Sequence, residues 1–90
     1  MEKKQYKVEY YTWIEDFNHY FANDWRVWRY GVMKLEEAIN IALELMDLYI
    51  GPDTSRYNKW DNRDIGEVGA YKEDVWTGDA DGIRIRFVPI

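Results

Sequence analysis

The chain contains no cysteine, two prolines, a single histidine (His19) and a single serine (Ser55). Without cysteine there is no disulfide framework, no thiolate nucleophile and no cysteine-based zinc site. A lone histidine and a lone serine, with nothing in the sequence to pair them, make no nucleophile–base constellation. No glycine-rich phosphate loop is present. Paired carboxylates can act as acid and base in glycoside cleavage, but they work in a deep cleft that so short a chain hardly provides. The D-x-D-G spacing of Asp79-Ala80-Asp81-Gly82 belongs to calcium loops, yet the twelfth position falls on Ile90 instead of a bidentate acid. That segment reads as a hairpin turn. The expectation is a protein that is not an enzyme and holds no metal or cofactor.

Long apolar runs are missing too. None approaches the length that spans a bilayer, and the basic start MEKKQYKVEYY has no apolar core of a signal peptide. An intracellular, cytoplasmic protein without a membrane partner is expected. Bases are outnumbered, 12 Lys and Arg against 17 Asp and Glu, for a net charge of −5. That balance favours solubility and opposes nucleic-acid partners.

What the chain has in quantity is aromatic side chains: five Trp, eight Tyr and three Phe in 90 residues. Each buried ring removes about 150–250 Å² from water, so one small core is affordable without staples. The rings outnumber what that core needs, and Trp and Tyr are enriched at interaction sites.

Residues 34–50, KLEEAINIALELMDLYI, form the only long run of helix formers. At about 100° per residue, Leu35, Ala38, Ile39, Ala42, Leu45, Met46 and Tyr49 share a face. Ile41, Leu43, Leu48 and Ile50 widen it to roughly 220°, twice what a helix resting on one sheet needs. The helix is therefore expected to bury against something besides the sheet, either the segment that follows it or another chain. The remaining arc carries Glu36, Glu37, Glu44 and Asp47 with no basic partner at i,i+4. Gly51-Pro52 ends the helix.

Residues 5–14 alternate, with Tyr6, Val8, Tyr10, Thr12 and Ile14 inward, as in a half-buried strand. Residues 15–24 read as a connection with a turn at Asn23-Asp24, and residues 25–33 as a strand apolar on both sides. Residues 53–64 read as a long polar loop carrying Tyr57 and Trp60, either exposed and functional or pinned over the helix. Residues 65–76 form an irregular strand, 77–82 a turn, and 83–90 a strand with Ile83, Ile85 and Phe87 on one side. The predicted fold is α+β: one domain over 1–90, ββαββ, a four-stranded mainly antiparallel sheet with one helix on one face. Leu35, Ile39, Ala42, Met46, Val8, Tyr10, Ile83, Ile85 and Phe87 make its core. The opposite face is left to some of Tyr11, Trp13, Trp28, Arg84 and Arg86.

The segments YKVEYYTW, GVMKLEEAINIALELM and IRIRFVPI, on a short acidic chain, resemble in style the small orphan proteins of bacteriophages, including anti-CRISPR and other anti-defence inhibitors. The likeness covers no alignable motif and carries over no residue. It implies stoichiometric binding to a host or defence component. Candidate contacts are the helix acids Glu36, Glu37, Glu44 and Asp47 and the aromatics Tyr11, Trp13, Trp28, Tyr57 and Trp60. The partner expected is another protein, with self-association also expected. Two alternatives stand beside it: a Trp- and Tyr-lined pocket for a nucleotide or other planar molecule, and stacking of single-stranded nucleic acid on the sheet.

Overall fold

The computed structural model describes residues 5–16, 19–32, 34–52, 56–74 and 76–90. The expected ends of the second strand at Met33 and of the polar loop at 53–55 lie outside the described residues. Among the described residues six strands and one α-helix follow in order, with one 3-10 turn (Arg63–Ile65) between the fourth and fifth strands: β1 (Tyr6–Asp16), β2 (His19–Ala22), β3 (Arg26–Val32), α1 (Leu35–Ile50), β4 (Asn58–Asn62), β5 (Glu67–Glu73) and β6 (Ala80–Pro89). The α+β class and the single helix agree with the sequence reading; the four-strand count does not. The sheet has six antiparallel strands in the order β2-β1-β6-β5-β4, with β3 also against β1.

The two added strands have separate causes. β2 pairs residues 13–16 of β1 and β3 pairs residues 6–10, so both run along one edge of β1. Asn23 and Asp24, expected as a turn, instead interrupt one continuing arm. The Asn23 N–H donates to the Thr12 carbonyl at 3.0 Å, and Asn23 Nδ2 donates to Thr12 Oγ1 at 2.8 Å, so the arm stays on β1 across the gap. β4, NKWDN, takes the place of the expected polar loop and pairs with β5. Asn and Asp are poor strand formers, and the ladder with β5 overrides that preference.

α1 carries the chain from β3 at one edge of the sheet to β4 at the other, across one face. Ala38, Ala42, Leu45, Met46 and Ile50 are buried against Val8, Val68, Ala70, Ile83, Ile85 and Phe87. The two alanines let the helix approach the sheet closely, and the β-branched and aromatic side chains fill the pleat. Ile39, Tyr6 and Tyr10 pack at the margin of this core. Leu35, expected inside, is the first residue of α1 and is exposed. Leu48 is 68% exposed. The wide apolar arc is thus only partly used: no described segment covers its Leu48 flank. α1 stops where the Gly51 N–H donates to the Asp47 carbonyl at 2.9 Å.

Candidate functional site: the open face of the sheet

Antiparallel register fixes what the face away from α1 carries. Glu9, Tyr11 and Trp13 of β1 alternate outward between the core positions Val8, Tyr10 and Thr12. Opposite them on β6 stand Arg86, Arg84 and Gly82. Opposite those on β5 stand Glu67, Gly69 and Tyr71, and Trp60 of β4 lies opposite Gly69. Trp25, just before β3, closes the row. The rings touch in sequence: Trp25 to Tyr11 at 4.8 Å, Tyr11 to Trp13 at 6.0 Å, Trp13 to Trp60 at 6.2 Å and Trp60 to Tyr71 at 6.3 Å between centroids.

Two glycines make that continuity possible. A Cβ built on Gly82 would lie 2.4 Å from Trp13 Cζ2 and Cη2, and one built on Gly69 would lie 2.0 Å from Trp60 Cζ2. The benzo edges of both indoles occupy the space the missing side chains leave. A cross-strand aromatic over glycine restores the packing that glycine lacks. Both indoles remain half-buried.

The charges on this face are layered. Arg84 Nη2 donates to Glu67 Oε2 at 2.8 Å beside a second bond from Nε to Oε1. Arg86 Nε donates to Glu9 Oε1 at 3.0 Å, and Lys7 Nζ lies 3.6 Å from the same oxygen. The carboxylates are the floor: the Glu9 and Glu67 side chains are 8% and 15% exposed, against 39% and 44% for Arg86 and Arg84. Guanidinium is thus the outer layer, and the Arg86 guanidinium stacks on Trp25 at 3.8 Å. Such stacking is worth about 0.5–2 kcal/mol, more where water is excluded. The hydrogen bonds from Arg84 to Glu67, and then to Tyr11, hold its guanidinium firmly protonated.

The sequence-expected residues divide between the two faces. Tyr11, Trp13 and Trp60 come together on the open face, joined by Trp25 and Tyr71, which the sequence reading did not single out. Trp28, expected there, faces the helix side, packed edge-on against Tyr10 at 6.0 Å. The register shift within β1–β3 between Val8 and Glu9 turns it inward. Trp60, offered as a residue pinned over the helix, is on the opposite side of the sheet from it. Tyr57 does pack on the helix, 5.9 Å edge-on to Tyr49. The Tyr49 and Tyr57 hydroxyls both donate to Asp81 Oδ2, at 2.7 and 3.3 Å. Burial, and then Asp81, push both phenols above their ordinary range.

Of the helix acids, Glu36, Glu37 and Glu44 are exposed. Asp47, expected without a basic partner, lies 3.7 Å from Lys59 of β4, a residue the loop assignment had kept off the sheet. Beyond the C-terminal end of α1 an open cleft of about 920 Å³ is bordered by Ile14, Asp16, Tyr49, Lys72, Asp79 and Asp81. Among the described residues no three His, Asp or Glu side chains are placed to hold a metal ion. His19 is exposed on β2 beside Phe21, and Ser55 lies outside the described residues. No described helix is long and apolar enough to cross a membrane.

No family model, curated protein or solved structure matches this chain.

Proposed function

We propose that this is a non-catalytic protein that acts by stoichiometric binding to another protein, with the open sheet face as its contact surface. The carrying observation is the unbroken row Trp25–Tyr11–Trp13–Trp60–Tyr71, flanked by Arg84 and Arg86. Trp, Tyr and Arg are the residues that dominate binding hot spots, and a ring already held in place loses little entropy when a partner covers it. The stylistic likeness to phage anti-defence proteins supports the narrower reading, an intracellular inhibitor of a host or defence component.

The test is retention of a partner from a bacterial lysate on the immobilised protein. A defined protein should be held in near-equal amount, and Trp13→Ala or Trp60→Ala should release it. Retention unchanged by both substitutions removes the open face from the reading. Self-association is part of the same proposal, with the exposed Leu48 flank of α1 as a second apolar contact. Light scattering at micromolar concentration separates a dimer from a monomer. A nucleotide pocket is the weaker reading: in the cleft described above, a phosphate would meet Glu15, Asp16, Glu73, Asp74, Asp79 and Asp81 against only Arg56 and Lys72, and Lys72 is already paired with Asp81.

A further inference from the structure

Resting on that contact surface, we infer that the open face takes an extended proline-rich segment of its partner, followed by a basic residue. Hydrogen-bond supply is the first argument. The carboxylates of the face, Glu9 and Glu67, are sunk beneath arginines and engaged by them. The charged groups left outermost among the rings are therefore donors, the guanidinium N–H groups of Arg84 and Arg86, beside the indoles of Trp13, Trp25 and Trp60 and the phenols of Tyr11 and Tyr71. A ligand that answers the two guanidinium groups and the ring row supplies backbone acceptors and compact apolar rings to set between indoles. A polyproline II helix has these properties, since its prolines carry carbonyls without N–H groups and its backbone makes no internal hydrogen bonds. Aromatic-lined surfaces recognise such segments because their conformation is already fixed.

Charge selects between this ligand and the other acceptor-rich one, single-stranded nucleic acid. The next register row beyond Trp13, Gly82 and Tyr71 is Glu15, Ala80 and Glu73, so two exposed carboxylates border the rings. A phosphate backbone crossing that row would be repelled. A Lys or Arg placed after the prolines would meet it favourably.

The test uses the whole chain and two-dimensional NMR of the indole N–H signals. Its probes are oligoproline ending in Arg-Arg, oligoproline ending in Glu-Glu, a Gly-Ser peptide of equal length, and oligothymidylate. The Arg-ended oligoproline should move the Trp13 and Trp60 signals, and should bind about tenfold more tightly than the Glu-ended one. Glu15→Gln with Glu73→Gln should abolish that difference and keep the binding. Trp13→Phe and Trp60→Phe, which keep a ring over each glycine and remove the indole N–H, should weaken it with circular dichroism unchanged. No shift with oligoproline, an equal response to Gly-Ser, or tighter binding of oligothymidylate overturns the inference. If oligoproline fails while Trp13→Ala still releases a captured protein, only the ligand class falls. If Trp13→Ala and Trp60→Ala also leave capture intact, the contact surface falls with it.

Discussion

Trp60 fills the space that a side chain on Gly69 would need. The ideal Cβ position at Gly69 lies 2.0 Å from Trp60 Cζ2 and 2.6 Å from the Ile83 carbonyl oxygen. The ring can swing away from an added methyl, but the β6 backbone cannot. Gly69→Ala should therefore cost about 1–3 kcal/mol, as overpacking of a filled site does. Adding Trp60→Ala should recover only the part due to the ring. Gly82→Ala should behave likewise, since its Cβ would approach Trp13 at 2.4 Å and the Ala70 carbonyl at 2.7 Å. Urea denaturation measures each; an unchanged midpoint in Gly69→Ala would refute the close approach.

Glu9 is the buried charge of the open face, and two cations rely on it. Glu9→Ala leaves Arg86 and Lys7 without their acceptor and should destabilise by about 1–3 kcal/mol. Glu36→Ala, on the solvated side of α1, should stay within about 0.5 kcal/mol. Equal losses for the two would mean that the Glu9 pairs contribute no more than a surface charge.

Much of this framework is legible from periodicity alone. The alternation of β6 places Ile83, Ile85 and Phe87 in the core and that of β1 places Val8 there, because each strand has one face on α1; Tyr6 and Tyr10 reach only the margin, and Ile14, expected inward, is 56% exposed. The C-terminal limit of the helix follows from the Gly51-Pro52 stop. β2 and β4 were not legible: HYFA is too short to show a period, and NKWDN is made of residues that favour turns. Missing β4 put Trp60 on the wrong side of the sheet and left Asp47 without Lys59. Trp28 was misplaced because the irregular register of β1 with β3 breaks the period-2 count that assigns faces. Gly69 and Gly82, read as marks of an irregular edge and a turn, are the seats of two indoles. Only the register shows that.

The Tyr49–Asp81 contact sets an alkaline limit on stability. Burial first, and then the Asp81 carboxylate, raise the Tyr49 phenol above its ordinary value of 10.0, and the same causes raise Tyr57. Below pH 10 both phenols are protonated folded or unfolded, and their contribution is intact. Above it the unfolded chain releases those protons while the folded chain retains them, so stability falls as pH rises. Tyr49→Phe should be less stable at neutral pH by about 1 kcal/mol for the lost hydrogen bond. It should also show a shallower decline above pH 10. Thermal melting across that range decides, and parallel curves for the two proteins would refute the assignment.

The last prediction sets the two candidate contact surfaces against each other. The acids of α1 are exposed, and the Asp47–Lys59 pair is open to solvent at 43% and 67% for Lys59 and Asp47. Exposed charges of this kind steer encounters more than they hold complexes, and such a pair is worth about 0–1 kcal/mol. The indoles of Trp13 and Trp60 are seated on glycine backbone and already ordered, so covering them costs little further entropy. Truncating either to Ala should weaken partner binding by at least about 2 kcal/mol, the scale of a hot-spot residue. Reversing Glu36, Glu37 and Glu44 to Lys should instead slow association at low salt and leave the dissociation rate unchanged. Surface plasmon resonance at two salt concentrations resolves both rates. A faster dissociation in the charge-reversed protein, with none in the Trp variants, would move the binding surface from the sheet to the helix.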